Sequence, residues 1–397
     1  MNKNCHRILC AFFALIIFVS AVLPVSAFAQ EPDTVPTETL TAEDARQMQQ
    51  ADEAVTTLTE SDEYTAMTLE ERQTAALEQL ETLAADGLID RRSVYVDTEN
   101  GMVSFAYSCG VWGGILLSDP DDENVFSGSA GLNRLSSEVI SESNRSRDLG
   151  TAMIYYAFDN TINSSRYPYY SYMKGFWSAL GLDTRLDTAV TVSDLKKMGQ
   201  YDLCILSAHG AYYTYSYGLL WRRTATQPII LLTEEASPYK DLLYGIDLLC
   251  HRIIKINGLY CITPDFFRNA YLFNRMDGTL ILSETCEFGG TDDSPDSSMA
   301  DALLAAGASA VVGYTNNVYT VYSRSMLWDT VNQLILGEDI QTAVQHALDI
   351  YGADDLVWYH AQGGRRPHAS AAYPILYGDP QALLTTVPMQ SSVQIAA

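Results

Sequence analysis

Apolar positions recur at helical spacing from Thr68 to about Ala85, where Met67, Leu69, Ala75, Leu77, Leu80 and Leu83 form an incomplete stripe between Glu-rich faces. Gly87 is placed to stop that helix. Two β-rich runs follow, Val94-Tyr95-Val96 and Met102 to Tyr107, separated by Asn100-Gly101. Asn-Gly suits a type I′ turn, in which both central residues take positive φ, so the pair predicts a hairpin. From Thr151 the texture changes to short apolar runs alternating with helical stretches. Strands are predicted at 152–158, 184–186, 228–232, 310–314 and 374–377, with two more ending at His209 and Ser283 and a hairpin across Asn257-Gly258. Helices are predicted at 167–180, 193–198, 297–306, 324–336 and 340–351, and from Pro264. Alternation of this kind predicts an α/β domain with a mostly parallel central sheet, in which ligands bind at the carboxyl ends of strands.

The stretches between these patterns set the expected boundaries. Residues 1–29 read as a secretory signal peptide: Lys3 and Arg7, an apolar run from Ile8 to Leu23, and small residues at Ala27 and Ala29 before the expected cleavage. Residues 30–67 read as an acidic linker with Pro32 and Pro36 near its start. Residues 68–119 form a small helix and hairpin unit, either a propeptide or an accessory module. Residues 120–150, rich in Asp, Ser, Asn and Gly, read as a second linker. The α/β domain spans 151–385, and 386–397 is a tail. No stretch after the signal is apolar enough to span a bilayer. The expectation is a secreted, extracellular protein without a transmembrane anchor.

The formal charge of the chain is −25, and loss of Lys3 and Arg7 makes it more negative. Such a surface repels phosphate backbones, which excludes nucleic acid as the expected partner. Five cysteines lie beyond the signal: Cys109, Cys204, Cys250, Cys261 and Cys286. An odd number in an exported chain predicts at least one free thiol, and no spacing matches a zinc site. The loop Thr291 to Asp296 gathers several oxygens that could hold calcium weakly, although a solvated acidic loop is the simpler account. No other cofactor is expected.

Two apolar runs end on chemically capable side chains. Tyr-Asp-Leu-Cys-Ile-Leu-Ser-Ala leads into His209-Gly210, and Gly-Thr-Leu-Ile-Leu-Ser-Glu-Thr leads into Cys286, with Gly289 and Gly290 close behind. Parallel strands ending side by side would bring an imidazole and a thiol to one sheet edge. A cysteine nucleophile acts as its thiolate, which a nearby histidine supports before protonating the leaving amine. The backbone N–H groups of Gly210 and Cys286 are the candidate oxyanion donors. The plain alternative is a core cysteine and a loop His-Gly. The tyrosines at 212, 213, 215 and 217 follow His209 and are expected to line a substrate cleft, with a strand and its partner as the alternative.

Apolar strand, His-Gly, a second apolar strand ending in Cys, the run Met299 to Gly313 and the terminal Tyr377-Gly378-Asp379-Pro380 together resemble the caspase-like cysteine peptidases, among them clostripain, the gingipains, separase and the CHAT domain. The resemblance covers roughly Thr151 to Pro380. It implies a caspase-like three-layer α/β sandwich and an endopeptidase acting on a protein or peptide as a monomer, with His209 as general acid/base and Cys286 as nucleophile. Two departures stand out. The interval from His209 to Cys286 is 77 positions, longer than the family pattern, which predicts an inserted hairpin and loop between Tyr212 and Arg268. Glu284-Thr285 stands where clostripain-like enzymes show Asp-Ala and CHAT domains Ser-Ala. Carried to this position, the acidic residue implies a pocket for Arg or Lys, with Glu284 and Glu287 contacting substrate and Asp247 or Glu234 as other sources of charge. A solvated carboxylate is the simple alternative for Glu284. Arg91-Arg92 and Arg222-Arg223 would then be candidate self-processing sites. A reading from a different class is a non-catalytic caspase-like module that binds a peptide or cell-surface partner.

Overall fold

The computed structural model describes residues 39–59, 61–97, 102–117, 149–158, 169–217, 223–273, 275–361 and 371–384. The expected signal peptide, the expected Asn100-Gly101 turn, nearly all of the expected second linker, Arg222 and the expected tail lie outside them.

The chain enters through β1 (Leu40–Thr41), α1 (Ala42–Thr59), α2 (Asp62–Thr65) and α3 (Leu69–Ala85). The expected acidic linker is therefore largely helical. The helix hides in the sequence because its buried face is Ala45, Met48, Ala51 and Asp52, a stripe with little hydropathy and one carboxyl. That carboxyl is held by the Tyr107 hydroxyl. Thr68 and Glu71 form a reciprocal capping box at the start of α3, worth about 1 kcal/mol for its hydroxyl. Next come β2 (Ile89–Asp97), β3 (Met102–Tyr107) and β4 (Trp112–Leu116), an antiparallel sheet in the order β2-β3-β4.

The α/β part opens with β5 (Thr151–Tyr156), α4 (Tyr169–Ala179), β6 (Asp183–Asp187), the short α5 (Val192–Leu195) and β7 (Leu203–Ser207). Then β8 (Gly210–Tyr217), β9 (Arg223–Glu235), α6 (Pro238–Leu243), α7 (Gly245–Leu249), β10 (Ile253–Ile256) and β11 (Leu259–Ile262) fill the long interval. The remainder is α8 (Pro264–Ala270), β12 (Leu280–Ser283), α9 (Ser298–Ala306), β13 (Ala310–Tyr314), α10 (Thr320–Leu336), α11 (Ile340–Tyr351), α12 (Asp355–Ala361) and β14 (Pro374–Gly378).

The central sheet runs β14-β13-β12-β7-β5-β6; β6 through β13 are mutually parallel and β14 is antiparallel. The period-2 alternation of each strand splits the core into two layers. Ile154, Leu203, Ile205, Leu280, Leu282 and Val312 face α4, α10 and α11, packing on Trp177 and Trp328. Met153, Tyr155, Cys204, Leu206, Ile281 and Val311 face the other side, with α8 and α9. The molecule is thus an α/β protein with mixed sheets that contain parallel strands.

A second sheet has the order β1-β8-β9-β11-β10. It is larger than the expected hairpin, and it joins the two halves. Ile230, Leu232, Ile253 and Ile262 point into the α/β core, while Ala211, Tyr213, Ile229, Leu231, Ile254 and Ile256 pack on α1, α3 and β3. The N-terminal unit therefore shares a core with this sheet. Pro228 falls before the β9–β11 ladder begins at Ile230, so its missing N–H removes no ladder bond there. Among the described residues, no helix is long and apolar enough to cross a membrane.

Candidate active site

β7 and β12 are neighbouring parallel strands, with Leu203 opposite Leu280 and Leu206 opposite Ser283. Their carboxyl ends reach the same sheet edge, which places His209 and Cys286 on adjacent turns. The contact between those turns is backbone to backbone. A Cβ added to Gly210 would lie 2.2 Å from the Cys286 carbonyl oxygen, 2.9 Å from Thr285 Cβ and 3.2 Å from the Cys286 nitrogen. Only glycine lets the segment after the histidine lie this close to the cysteine. The two candidate oxyanion donors, Gly210 and Cys286, thus belong to segments in direct contact.

His209 is 5% exposed and packs edge-on against Phe158, with ring centroids 4.5 Å apart. Burial lowers its pKa to about 3, so the ring is neutral. Cys286 is partly buried beside Tyr314, Val318, Tyr319 and Tyr322, and its Sγ lies 3.9 Å from the Val318 carbonyl oxygen. Burial pushes the thiol up to about 12; the Val318 contact opposes this, and the charges of Glu287 and Asp355 add to it. Both members of the pair rest neutral.

The turn after Cys286 is stitched to the end of β13. Glu287 has φ +52°, and its amide donates to the Asn316 carbonyl at 2.7 Å; Asn316 has φ +51°, and its amide donates to the Gly290 carbonyl at 3.0 Å. Gly289 N–H donates to Tyr314 O at 2.9 Å. The space beside Gly290 is taken by Ser294 and Asp296, so this glycine serves the turn's own packing and not the approach of a substrate.

No protein-family model and no curated protein matches the chain.

The expected substrate contacts are placed differently. Glu284 is 6% exposed and is neither solvated nor facing open space. Its carboxylate accepts from Tyr170 Oη at 2.7 Å and Ser323 Oγ at 3.3 Å, and Ser207 Oγ donates to Tyr170 at 2.9 Å. Burial raises its pKa to about 7 against those hydrogen bonds and the nearby Arg324, whose guanidinium sits 3.7 Å over the Tyr169 ring centre. The hollow beside it measures about 20 Å³, enough for a water and too small for an Arg or Lys side chain. Glu287 is 1% exposed and accepts a hydrogen bond from the Tyr212 amide, so its carboxylate is turned into the protein. Glu234 accepts from Val192 N–H and Tyr244 Oη, and Asp247 is paired with Lys196 and Arg252. All four carboxylates are already engaged.

The tyrosines after His209 form strand β8; Tyr213 and Tyr215 border a hollow of about 830 Å³ that they share with Thr41, Glu43, His251 and Lys255, and its lining includes neither His209 nor Cys286. Tyr213 is in the core shared with the N-terminal unit, and Tyr215 packs against that core. Tyr217 packs at a tilt against His251, with centroids 4.8 Å apart. Tyr212 alone approaches the cysteine turn, through its amide to Glu287 and its hydroxyl toward Asp296. Two other histidines lie elsewhere: His251 in the turn before β10 and His346 on α11, its Nδ1 2.6 Å from Asp329 Oδ2.

Cys109, Cys204, Cys250, Cys261 and Cys286 are free thiols. Among the described residues, no cluster of three or more His, Cys, Asp or Glu could hold a metal ion, and in the Thr291 to Asp296 loop Asp296 instead accepts from the Ser298 amide. Asp355 went unread in the sequence, where nothing marks it out. It is fully buried and accepts from the Tyr319 and Ala372 amides at 3.1 and 2.8 Å, fixing the wall against which Cys286 packs. Asn316 carried a readable signal, an Asn at the end of an apolar strand, where αL backbone is tolerated.

Proposed function

We propose that the chain is an exported, monomeric cysteine endopeptidase with a caspase-like α/β domain, in which Cys286 attacks the peptide carbonyl and His209 moves the proton. The observation that carries this reading is the backbone contact between Gly210 and Cys286 at the shared carboxyl edge of β7 and β12. In the reaction, the thiol proton passes to His209, the sulfur forms the thioester bond, and the imidazolium then protonates the departing amine. Water, deprotonated by the same histidine, releases the acyl group and restores the thiol. Preference for Arg or Lys is not part of the proposal, because the carboxylates that would supply it are occupied inside the protein.

The resting geometry bears on how the pair would work. Burial raises the thiol and lowers the imidazole, so it disfavours both charged forms of a thiolate–imidazolium pair. Attack therefore requires that substrate binding or processing first relieve the burial of both groups. The same neutrality is the observation that favours the second reading, a caspase-like module that binds a peptide without cleaving it.

A peptidyl acyloxymethyl ketone separates the two readings, with the exposed Cys250 as an internal reference. A dyad predicts labelling of Cys286 well ahead of Cys250, a rate at least tenfold lower in His209→Ala, and hydrolysis of denatured casein that vanishes in Cys286→Ala. Labelling no faster than Cys250 and indifferent to His209 would leave the binding module as the answer.

A further inference from the structure

Glu287 joins the two halves of the candidate dyad. It follows Cys286 directly, while the amide it holds belongs to Tyr212, three residues after His209. The ladder explains why that amide needs it. Leu231 N–H donates to the His209 carbonyl, so along β8 the backbone groups of His209, Ala211 and Tyr213 face β9, and those of Gly210, Tyr212 and Thr214 face the outer edge. On that edge β1 pairs only from Tyr213 onward, with Leu40 opposite Tyr213 and Thr41 opposite Thr214. The Glu287 carboxylate occupies the place a strand would take beside Tyr212. A buried amide left unpaired there would be costly.

The residue is fixed from both ends. Its backbone is left-handed at φ +52°, a conformation that persists for a non-glycine residue only where the surroundings impose it. Its amide is tied to Asn316 O at 2.7 Å. The main chain of Glu287 is thus anchored to the end of β13 and its side chain to β8, with Cys286 immediately before it. At 1% exposure it cannot present itself to a substrate.

We propose that Glu287 is a positioning residue, whose carboxylate holds the strand that follows His209 in register with the turn that carries Cys286. This rests on the reading of His209 and Cys286 as a dyad. It predicts that losing the carboxylate uncouples the two residues more than it damages the fold. Glu287→Gln keeps an acceptor oxygen for Tyr212, Glu287→Ala removes it, and Glu287→Asp keeps the carboxyl group but is one methylene too short.

The test is the ratio of Cys286 labelling rates, with and without His209→Ala, in each background, using the same acyloxymethyl ketone. The ratio should stay within threefold of the parent's in Glu287→Gln and fall to within twofold of unity in Glu287→Ala and Glu287→Asp. Amide hydrogen exchange at Tyr212 should quicken at least tenfold in the same two variants and not in Glu287→Gln, while circular dichroism remains that of the parent. If Glu287→Ala does not fold, Glu287→Asp decides. A parental ratio retained in the short or missing side chain, or Tyr212 protection unchanged, overturns the positioning role. A ratio of one in the parent itself overturns the dyad, and the role with it.

Discussion

At the scale of single residues, the site depends on an absent side chain and on buried acids. Gly210 has no left-handed backbone to justify it; what forbids a methyl group is the Cys286 carbonyl 2.2 Å from where its carbon would sit. Overpacking against backbone typically costs about 1–3 kcal/mol. Gly210→Ala should therefore lower stability in urea by that amount and slow Cys286 labelling by displacing its turn; a variant as stable and as reactive as the parent would show that the turns do not touch. Glu284 makes a prediction of different kind. Its folded pKa, about 7, is raised above the ordinary carboxylate value, so the native state keeps a proton that the unfolded chain releases. The stabilisation it confers is complete below the unfolded value near 4.5 and is lost as pH rises through about 7. Glu287, raised to about 8, acts in the same direction, whereas His209, lowered to about 3, costs stability as pH falls below 6.5. Glu284→Gln should accordingly gain on the parent as pH rises from 5 to 7, by at most ~1.4 kcal/mol per pH unit. Unfolding curves at several pH values check this, and parallel pH profiles would mean that Glu284 titrates normally.

At the scale of elements, the sequence was legible where burial and periodicity agree. The strands that carry Ile154, Ile205, Ile281 and Val311 are fully apolar because both faces are covered, and α3 announces itself through Thr68, Glu71 and its Leu stripe. The shared edge of β7 and β12, at which the segments carrying His209 and Cys286 emerge, follows from the same pattern. Elements that break the agreement were missed. In α1 the buried face is alanine, methionine and one aspartate, so nothing separates it from a solvated linker. In α6 and α7 the pattern is inverted: Tyr239, Leu242, Leu243, Ile246 and Leu249 face water, while Lys240, Asp241 and Asp247 are paired within the fold. Strand β8 reads as a run of tyrosines whose destinations depend on which layer each alternate residue meets. Glu284 and Glu287 look like site carboxylates in sequence because sequence does not show Tyr170 or the Tyr212 amide approaching them. The shared core has a testable consequence. A chain beginning at residue 149 would expose Ala211, Tyr213, Ile229, Leu231, Ile254 and Ile256 together, a patch beyond what soluble monomers tolerate. Such a truncation should aggregate or bind a hydrophobic dye strongly, and co-expression with residues 39–117 should rescue it; a soluble, dye-silent truncation would mark the N-terminal unit as a detachable propeptide.

At the scale of the whole molecule, charge sets the terms. The chain carries 49 acidic against 24 basic side chains, and this excess must be held within one folded volume. Two effects of added salt then compete. Screening weakens the ion pairs, but those of Arg46 with Glu43, Arg91 with Glu81, Arg185 with Asp183 and Arg275 with Asp277 are well exposed, and exposed pairs contribute only ~0–1 kcal/mol each. Screening also weakens repulsion among the surplus carboxylates, a long-range sum over the entire surface that grows with the square of the net charge. With a Debye length falling from about 10 Å at 0.1 M to about 3 Å at 1 M salt, the second effect is relieved across the whole molecule while the first loses little. The urea midpoint at pH 7.5 should therefore rise as NaCl is raised from 0.05 to 0.5 M, and KCl should match it, because the effect is one of ionic strength and not of a bound ion. A falling midpoint would mean that the surface pairs outweigh the repulsion, and a rise with NaCl alone would point to a specific sodium site.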